Sequence, residues 1–578
     1  MPADPMPFAK TPRLTSAVPL AQFFKEVAPL SAKQRLDRII SRKDTMRVVR
    51  AMPVVDLYAT IRDVGVEDCQ EILELMSPAQ VQGFLDLDGW RKDRVDVTAM
   101  GRWVGAFFEA NGDRAVGQMR GLDLELFTLI VKIHCTIYDL SLEEEPQGDI
   151  GRHSITPDQR YLIVYGGVGG DDAAQATLQQ LLDRMMGRDM WFVLRLCEAV
   201  RTELPSGLEE DALRWRNARL ADLGFQPADE AAAIFAWLDP EVPFVEKITA
   251  VGPPESVDES TSVDLTTSPL LPWDLLGDGS SVLSRALQGA ERTARDRVQY
   301  ELMLVANRVH AADAADLGDS DALKETARHV AATAGTGLAW LVRGDESQLS
   351  IRLSSTSVMV LFRTGHSLGL KLRAELKSRV QQKGSGLTGR GLLRLDAPLR
   401  EVVAGLLRLR PLLYAGLMSS ARVDYRPIAS LAELAAAATA VSEASFRATL
   451  LERLGANDGL FTDVDDSLLP AHAAILGAVL GRAVIGEPLT TTSLGDAHLG
   501  MLRDRLAGKN ADAHMAAALD AFEAVVRPLA PLPGAVSPDD VAARARFYAS
   551  KVLSAMREEL AAVHERRPDG RYLSTIWV

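Results

Sequence analysis

Apolar residues return at helical spacing through most of the chain. Cys69, Ile72, Leu73 and Met76 follow an i, i+3, i+4, i+7 pattern, and so do Ala231, Ile234, Phe235 and Leu238. Both sets sit in a phrase that the chain writes twice, "RDVGVEDCQEILELMSP" (62–78) and "ADLGFQPADEAAAIFAWLDP" (221–240). In each copy a glycine, Gly65 or Gly224, stands where a helix ends and the backbone needs a conformation that costs glycine little. An apolar residue follows, Val66 or Phe225, placed to fold back on the last turn. Acidic residues (Glu67 and Asp68; Asp229 and Glu230) then open a second helix at the positive end of its dipole. The copies close on Ser77-Pro78 and Asp239-Pro240, and Gln80 stands where it completes a capping box with Ser77. The second copy carries three extra residues, Gln226 to Ala228, in its turn. The phrase therefore predicts a duplicated helix–turn–helix unit. Helices this short bury a face only by stacking on neighbours, so the fold class expected is mainly α, helical-repeat-like.

Further helix starts are expected at Ser31, Ser206 and Ser537. Long helical patterns cover "VTAMGRWVGAFFEA", "LELFTLIVKIHCTIYDL", "LAELAAAATAVSEASFRATLLERL" and "VAARARFYASKVLSAMREELAAVHERR". Strand patterns are scarce, with one exception. "PDQRYLIVY" (157–165) and "PDGRYLSTIWV" (568–578) share Pro-Asp-x-Arg-Tyr-Leu, turn chemistry followed by β-branched and aromatic residues. They predict a small β element in which residues 160–165 pair with 571–577. Between 241 and 281 prolines, serines, threonines and acids replace helical periodicity, which reads as a linker or extended segment pinned by Leu270, Leu271 and Trp273. An N-terminal helical domain (1–240) and a C-terminal one (282–578) are expected on either side.

Composition narrows the class. Hydrophobic residues at 47% and charged residues at 25% are ordinary globular values. A formal charge of −14 argues against a general nucleic-acid binder. Cys69, Cys135 and Cys197 lie far apart, as buried thiols of a reducing compartment do. The N-terminus has no apolar core of signal-peptide length, and the apolar run "PAHAAILGAVLG" (470–481) is shorter than the roughly 20 residues of a membrane span. A cytoplasmic location without a transmembrane segment is the expectation.

Three strings carry a resemblance: "DLYATIRDVGVED" (56–68), "LDLDGWRKDR" (85–94) and above all "RWRNARLADLGF" (214–225). With them most of the chain resembles an uncharacterised bacterial family of large helical proteins, a domain of unknown function. The resemblance implies a helical fold and brings no activity, substrate or catalytic residue. In style alone, the short helices of residues 31–90 are similar to the superhelical N domain of MgtE magnesium transporters and to FliG, regions that work by packing against partners.

Candidate chemistry is sparse. "GHSLG" (365–369) matches the nucleophile elbow of α/β-hydrolases, with "VMVLF" as the strand, Ser367 exposed on the turn, and His472, His498, His514 and His564 downstream. The repeated strand–helix alternation that such a fold needs is missing, so a helix–turn–helix reading of the segment stands beside the catalytic one. "YGGVGGDD" (165–172) lacks the Lys-Ser/Thr ending of a phosphate loop and places two aspartates where a phosphate would sit. No histidine pair has metal-ligand spacing, and Asp463, Asp465 and Asp466 lack the register of a calcium loop. No cofactor or metal is expected.

The strongest asymmetry is charge. From Lys371 to Arg410 ten basic residues face three acids, an excess of +7, so the remainder carries −21. Lys371, Arg373, Lys377, Arg379, Lys383, Arg390 and Arg394, with the glycine-rich loop "QQKGSGLTGRG" (381–391), are the candidate binding residues. A second basic run spans Lys33 to Arg50. Such runs are either solvated helix faces or docking surfaces for an acidic partner or anionic lipid. The expectation is a non-enzymatic interaction protein, a helical scaffold or adaptor for another protein, with serine hydrolysis at Ser367 and peripheral membrane association as the alternatives.

Overall fold

The structure is a computed structural model. It describes residues 20–27, 30–91, 93–144, 146, 150–166, 172–241, 281–313, 317, 319–419, 422–462, 464–562 and 573–578. Among these the fold is mainly α, with three small antiparallel sheets. The described residues fall into two compact units. One lies within Met1–Ala236, Phe244–Ala331 and Asp345–Val360, the other within Trp237–Pro243, Ala332–Gly344 and Leu361–Val578. The expected linker, with Leu270, Leu271 and Trp273, lies outside the described residues except at its two ends.

The first unit is built from the short helices that the sequence announces. Val54–Val64 ends at Gly65, with φ at +111°, and Cys69, Ile72, Leu73 and Met76 of the next turns are buried. Pro78–Asp88 starts on a Ser77–Gln80 capping box, and the same Gln80 amide donates to the carbonyls of Val49 and Met52, tying down the end of the preceding Thr45–Ala51 helix. Tyr58, Phe84, Trp103 and Phe107 form an aromatic centre with edge-on and tilted rings 5.1–6.3 Å apart. In the second copy of the phrase Gly224, at φ +87°, lies so close to the Arg292–Ala312 helix that a Cβ there would stand 2.8 Å from the Leu304 carbonyl oxygen. Asn307 donates to the Leu223 carbonyl at 2.6 Å in the same place, so this turn docks on that helix.

Three expectations need correction. The run "LELFTLIVKIHCTIYDL" is a helix only over Leu124–His134; Cys135–Asp139 is a strand, because Cys135, Ile137 and Asp139 point inward at a period of two. The helix expected from Ser206 begins at Pro205 on Leu204, with proline supplying the first helical position. Residues 160–165 do not pair with the C-terminal tail. Tyr161–Tyr165 is the central strand between Cys135–Asp139 and His153–Ile155, so both its edges are taken (Ile137 and Ser154 both face Ile163).

The described tail, 573–578, belongs to the second unit. Trp577 donates to the Ala474 carbonyl and accepts from Leu494 N–H, both at 2.9 Å. Ile576 is buried, and Gly477 makes room for the tail: a Cβ there would lie 1.9 Å from the Thr575 carbonyl oxygen. The unit's helices, among them Leu399–Leu407, Leu431–Arg453, His472–Ile485, Ala511–Val526 and Pro538–Ala562, enclose two apolar clusters, one around Leu376, Val402 and Val441, the other around Phe446, Ile475 and Leu553.

Candidate functional site

Ser367 does not sit on an elbow. "VMVLF" and "GHSLG" are both inside the Val358–Gln381 helix, and Ser367 is fully buried, its Oγ accepting from Leu238 N–H at 2.9 Å. The glycine of the motif serves packing instead. A Cβ on Gly365 would stand 2.1 Å from the Thr333 carbonyl oxygen, and one on Gly337 would stand 2.0 Å from that of Leu361, so two backbones meet where only glycine fits. The pattern of small residues is the signature of this crossing. His366 is pushed down to about 4 by burial, and His472 to about 3 by burial and by the charges of Arg394 and Arg447.

The basic segment divides into residues that hold the fold together and residues that face solvent. Arg394 is 2% exposed, paired with Asp458 at 3.3 Å and stacked 4.5 Å over the Phe461 ring; burial pulls its pKa down. Arg390 donates to the carbonyls of Phe461 and Val464 and pairs with Asp466 at 2.6 Å. Arg373 donates to the Leu407 carbonyl, joining the Val358–Gln381 helix to the end of Leu399–Leu407. Arg379 is half-buried. The glycine-rich loop is anchored too. Gly386 (φ +69°) approaches the Ala448 carbonyl so closely that a Cβ would come within 2.2 Å, Leu387 is fully buried, and Thr449 donates to the Ser385 carbonyl. What remains outside is Lys371, paired with Glu241 at 3.1 Å, and Lys377 and Lys383, which are exposed and make no ion pair among the described residues. Arg408 and Leu409 (81% exposed) directly follow Leu407; Arg408 stacks on Tyr425, two residues beyond the exposed Val423 (79%).

A groove in the first unit was not foreseen. It has a volume of about 450 Å³, within the range of small-molecule sites. Gly101, Gly105 and Ala106 of the Val97–Arg120 helix line it together with Ala174, Thr177 and His134. A Cβ on Gly101 or Gly105 would meet nothing within 4 Å. His134 closes the end of the Leu124–His134 helix at 7% exposure, and burial holds its pKa below the usual histidine value. The signal for this groove in the sequence is the pair of glycines four apart inside an otherwise strong helix, which periodicity alone reads as tolerated defects.

The remaining reactive groups are enclosed. Burial pushes the thiol of Cys69 up to about 11 and that of Cys197 to about 12, and raises Cys135 as well. No cluster of three or more histidine, cysteine, aspartate or glutamate side chains fit for a metal occurs among the described residues, and no described helix is long and apolar enough to cross a membrane. Residues 167–171 of the phosphate-loop candidate, Asp463 and His564 lie outside the described residues.

Comparison with known families gives one match: the model of a family of unknown function, DUF6178, covers residues 12–578. No curated protein and no solved structure matches the chain, so the likeness in style to MgtE and FliG gains no support.

Proposed function

We propose, for a chain that belongs to DUF6178, that it is a non-enzymatic interaction protein whose second unit holds an acidic partner protein on an exposed basic and apolar face. The observation that carries this reading is the division within the basic segment. Arg373, Arg390 and Arg394 are engaged by the fold, whereas Lys377 and Lys383 lie exposed at the surface with no ion pair among the described residues. Lys377 follows Arg373 by one helical turn, and Arg373 reaches the stretch that presents Leu409. Exposed charge steers an oppositely charged partner and sets its salt dependence, while apolar side chains such as Leu409 and Val423 supply contact area.

The test is capture of partners by tagged full-length protein at low and high salt, beside a variant carrying Lys371→Glu, Lys377→Glu, Lys383→Glu and Arg408→Glu. A stoichiometric protein that both high salt and the reversed charges release supports the reading. Its retention by the variant, or binding to anionic vesicles with no protein captured, overturns it. For serine hydrolysis the buried Ser367 offers no support, and absence of labelling by a fluorophosphonate probe is the expected result.

A further inference from the structure

The groove at Gly101 and Gly105 is independent of the basic face, and its chemistry points to a different kind of ligand. We propose that it binds a small organic cation, an aliphatic amine. Three features argue for this class. The floor is bare helix backbone and methyl groups (Gly101, Gly105, Ala106 and Ala174) beside Val66, Leu73 and Val97, which suits an aliphatic chain. The rim carries Glu67 and Glu109, two exposed carboxylates with no ion pair among the described residues. Arg102, the one cation lining the groove, is already paired with Asp88, so the rim keeps a negative excess. An ammonium group supplies the charge that these acids lack.

His134 adds a second, polar anchor. It is 7% exposed and lines the groove, so its imidazole is a polar group within reach of whatever enters. A neutral imidazole both donates and accepts one hydrogen bond, so it takes a second amine or a hydroxyl equally well. A short diamine or polyamine can place one nitrogen at the rim carboxylates and another at His134, with Gln70, Thr98 and Thr177 as further polar groups of the lining.

The experiment is calorimetric titration of the full chain with cadaverine and spermidine, and with the neutral 1,5-pentanediol as the uncharged comparison. The decisive variant is Gly105→Leu. Its Cβ enters open space and its helix propensity exceeds that of glycine, so the fold is kept while the groove is filled and the surface charge stays the same. Saturable amine binding that Gly105→Leu abolishes, and that Glu67→Gln with Glu109→Gln weakens roughly tenfold or more, bears the proposal out. An unchanged circular dichroism spectrum in Gly105→Leu excludes misfolding as the cause. No saturable binding of either amine overturns the proposal. So does equal binding by Gly105→Leu, which marks attraction to the acidic chain at large, or equal binding of the diol.

Discussion

Arg219 grips Asp86 side-on, Nε to Oδ2 at 2.6 Å and Nη2 to Oδ1 at 2.9 Å, and its third nitrogen reaches Asp123. Asp86 is 1% exposed, and Gln82 donates to the same carboxylate at 3.0 Å. Arg216 donates to the Asp86 carbonyl and stacks over Trp90. The strings "LDLDGWRKDR" and "RWRNARLADLGF" are therefore the two halves of one fastening. At Asp86 burial outweighs the hydrogen bonds and charges of Arg219, and the carboxyl ends above its ordinary value; at Arg219 burial is outweighed by the hydrogen bonds and charges of Asp86 and Asp123, and the guanidinium ends above its own.

Breaking this fastening from one side is expected to cost more than removing it. Arg219→Leu leaves a buried carboxylate without its partner, a loss of about 3–5 kcal/mol. The double variant Asp86→Leu with Arg219→Leu recovers part of that loss, because no charge is left stranded. Urea unfolding followed by hydrogen exchange at amides of the Pro78–Asp88 helix reads both. A double variant less stable than Arg219→Leu would reject this account.

The local grammar of helices was legible because it rests on neighbours in the chain. The capping boxes at Ser31–Gln34 and Ser77–Gln80 and the turn at Gly65 form as their residues dictate. What the chain alone hid depends on distant partners. The strand at Cys135–Asp139 follows an unbroken apolar helix, and only its pairing with Tyr161–Tyr165 ends that helix. The tail packs on Gly477, with Trp577 bonded to Ala474 and Leu494, and the strand it resembles already has a partner on each edge. At the candidate sites, charge counting found the basic segment and missed that Arg390 donates to the carbonyls of Phe461 and Val464 and that Arg394 lies buried against Asp458 and the Phe461 ring. The groove left only its pair of glycines, Gly101 and Gly105, as a trace, and they gain meaning only beside Ala174, Thr177 and His134 from elsewhere in the chain.

The small residues of "GHSLG" give a second prediction. Gly365→Ala forces a methyl group into the Thr333 carbonyl, and the expected cost is about 1–3 kcal/mol or more, as for other overpacked contacts. Ser367→Ala removes the acceptor of a part-buried Leu238 N–H, at about 1–3 kcal/mol. Both losses appear as lowered thermal midpoints. A Gly365→Ala protein as stable as the parent would show that the two backbones are not in contact.

The thiols give a third. With Cys69 at about 11 and Cys197 at about 12, almost no thiolate exists in the folded chain at pH 8, and the groups are enclosed. Iodoacetamide is expected to leave all three cysteines unmodified until denaturant is added, as mass spectrometry of the intact chain will read. Rapid alkylation of the native protein would contradict their burial.

His472 carries the last prediction, which concerns acid. It is the first residue of the His472–Ile485 helix, 2% exposed, and its Nδ1 has no hydrogen-bond partner among the described residues. Burial first, then the cationic Arg394 and Arg447, push its pKa to about 3, against an ordinary value of 6.5. The folded state thus refuses a proton that the unfolded chain accepts throughout the interval between these values. Stability is fully present above the unfolded pKa and drains away as pH falls from 6.5 towards 3. His366, at about 4 through burial, acts with the same sign. Glu443, whose carboxyl is raised by burial but held below its ordinary value overall by the hydrogen bonds and charges of Arg447 and Arg544, loses its own contribution as it protonates, so the wild-type curve alone does not isolate the histidine. The informative quantity is the difference between wild type and His472→Leu in urea midpoint, measured from pH 7 to pH 4. The variant lacks the proton site, so its midpoint should fall less steeply and the two curves should converge or cross on acidification. Parallel curves across that range would mean that His472 takes up its proton in the folded protein as readily as in the unfolded chain, and the enclosed environment described for it would be wrong.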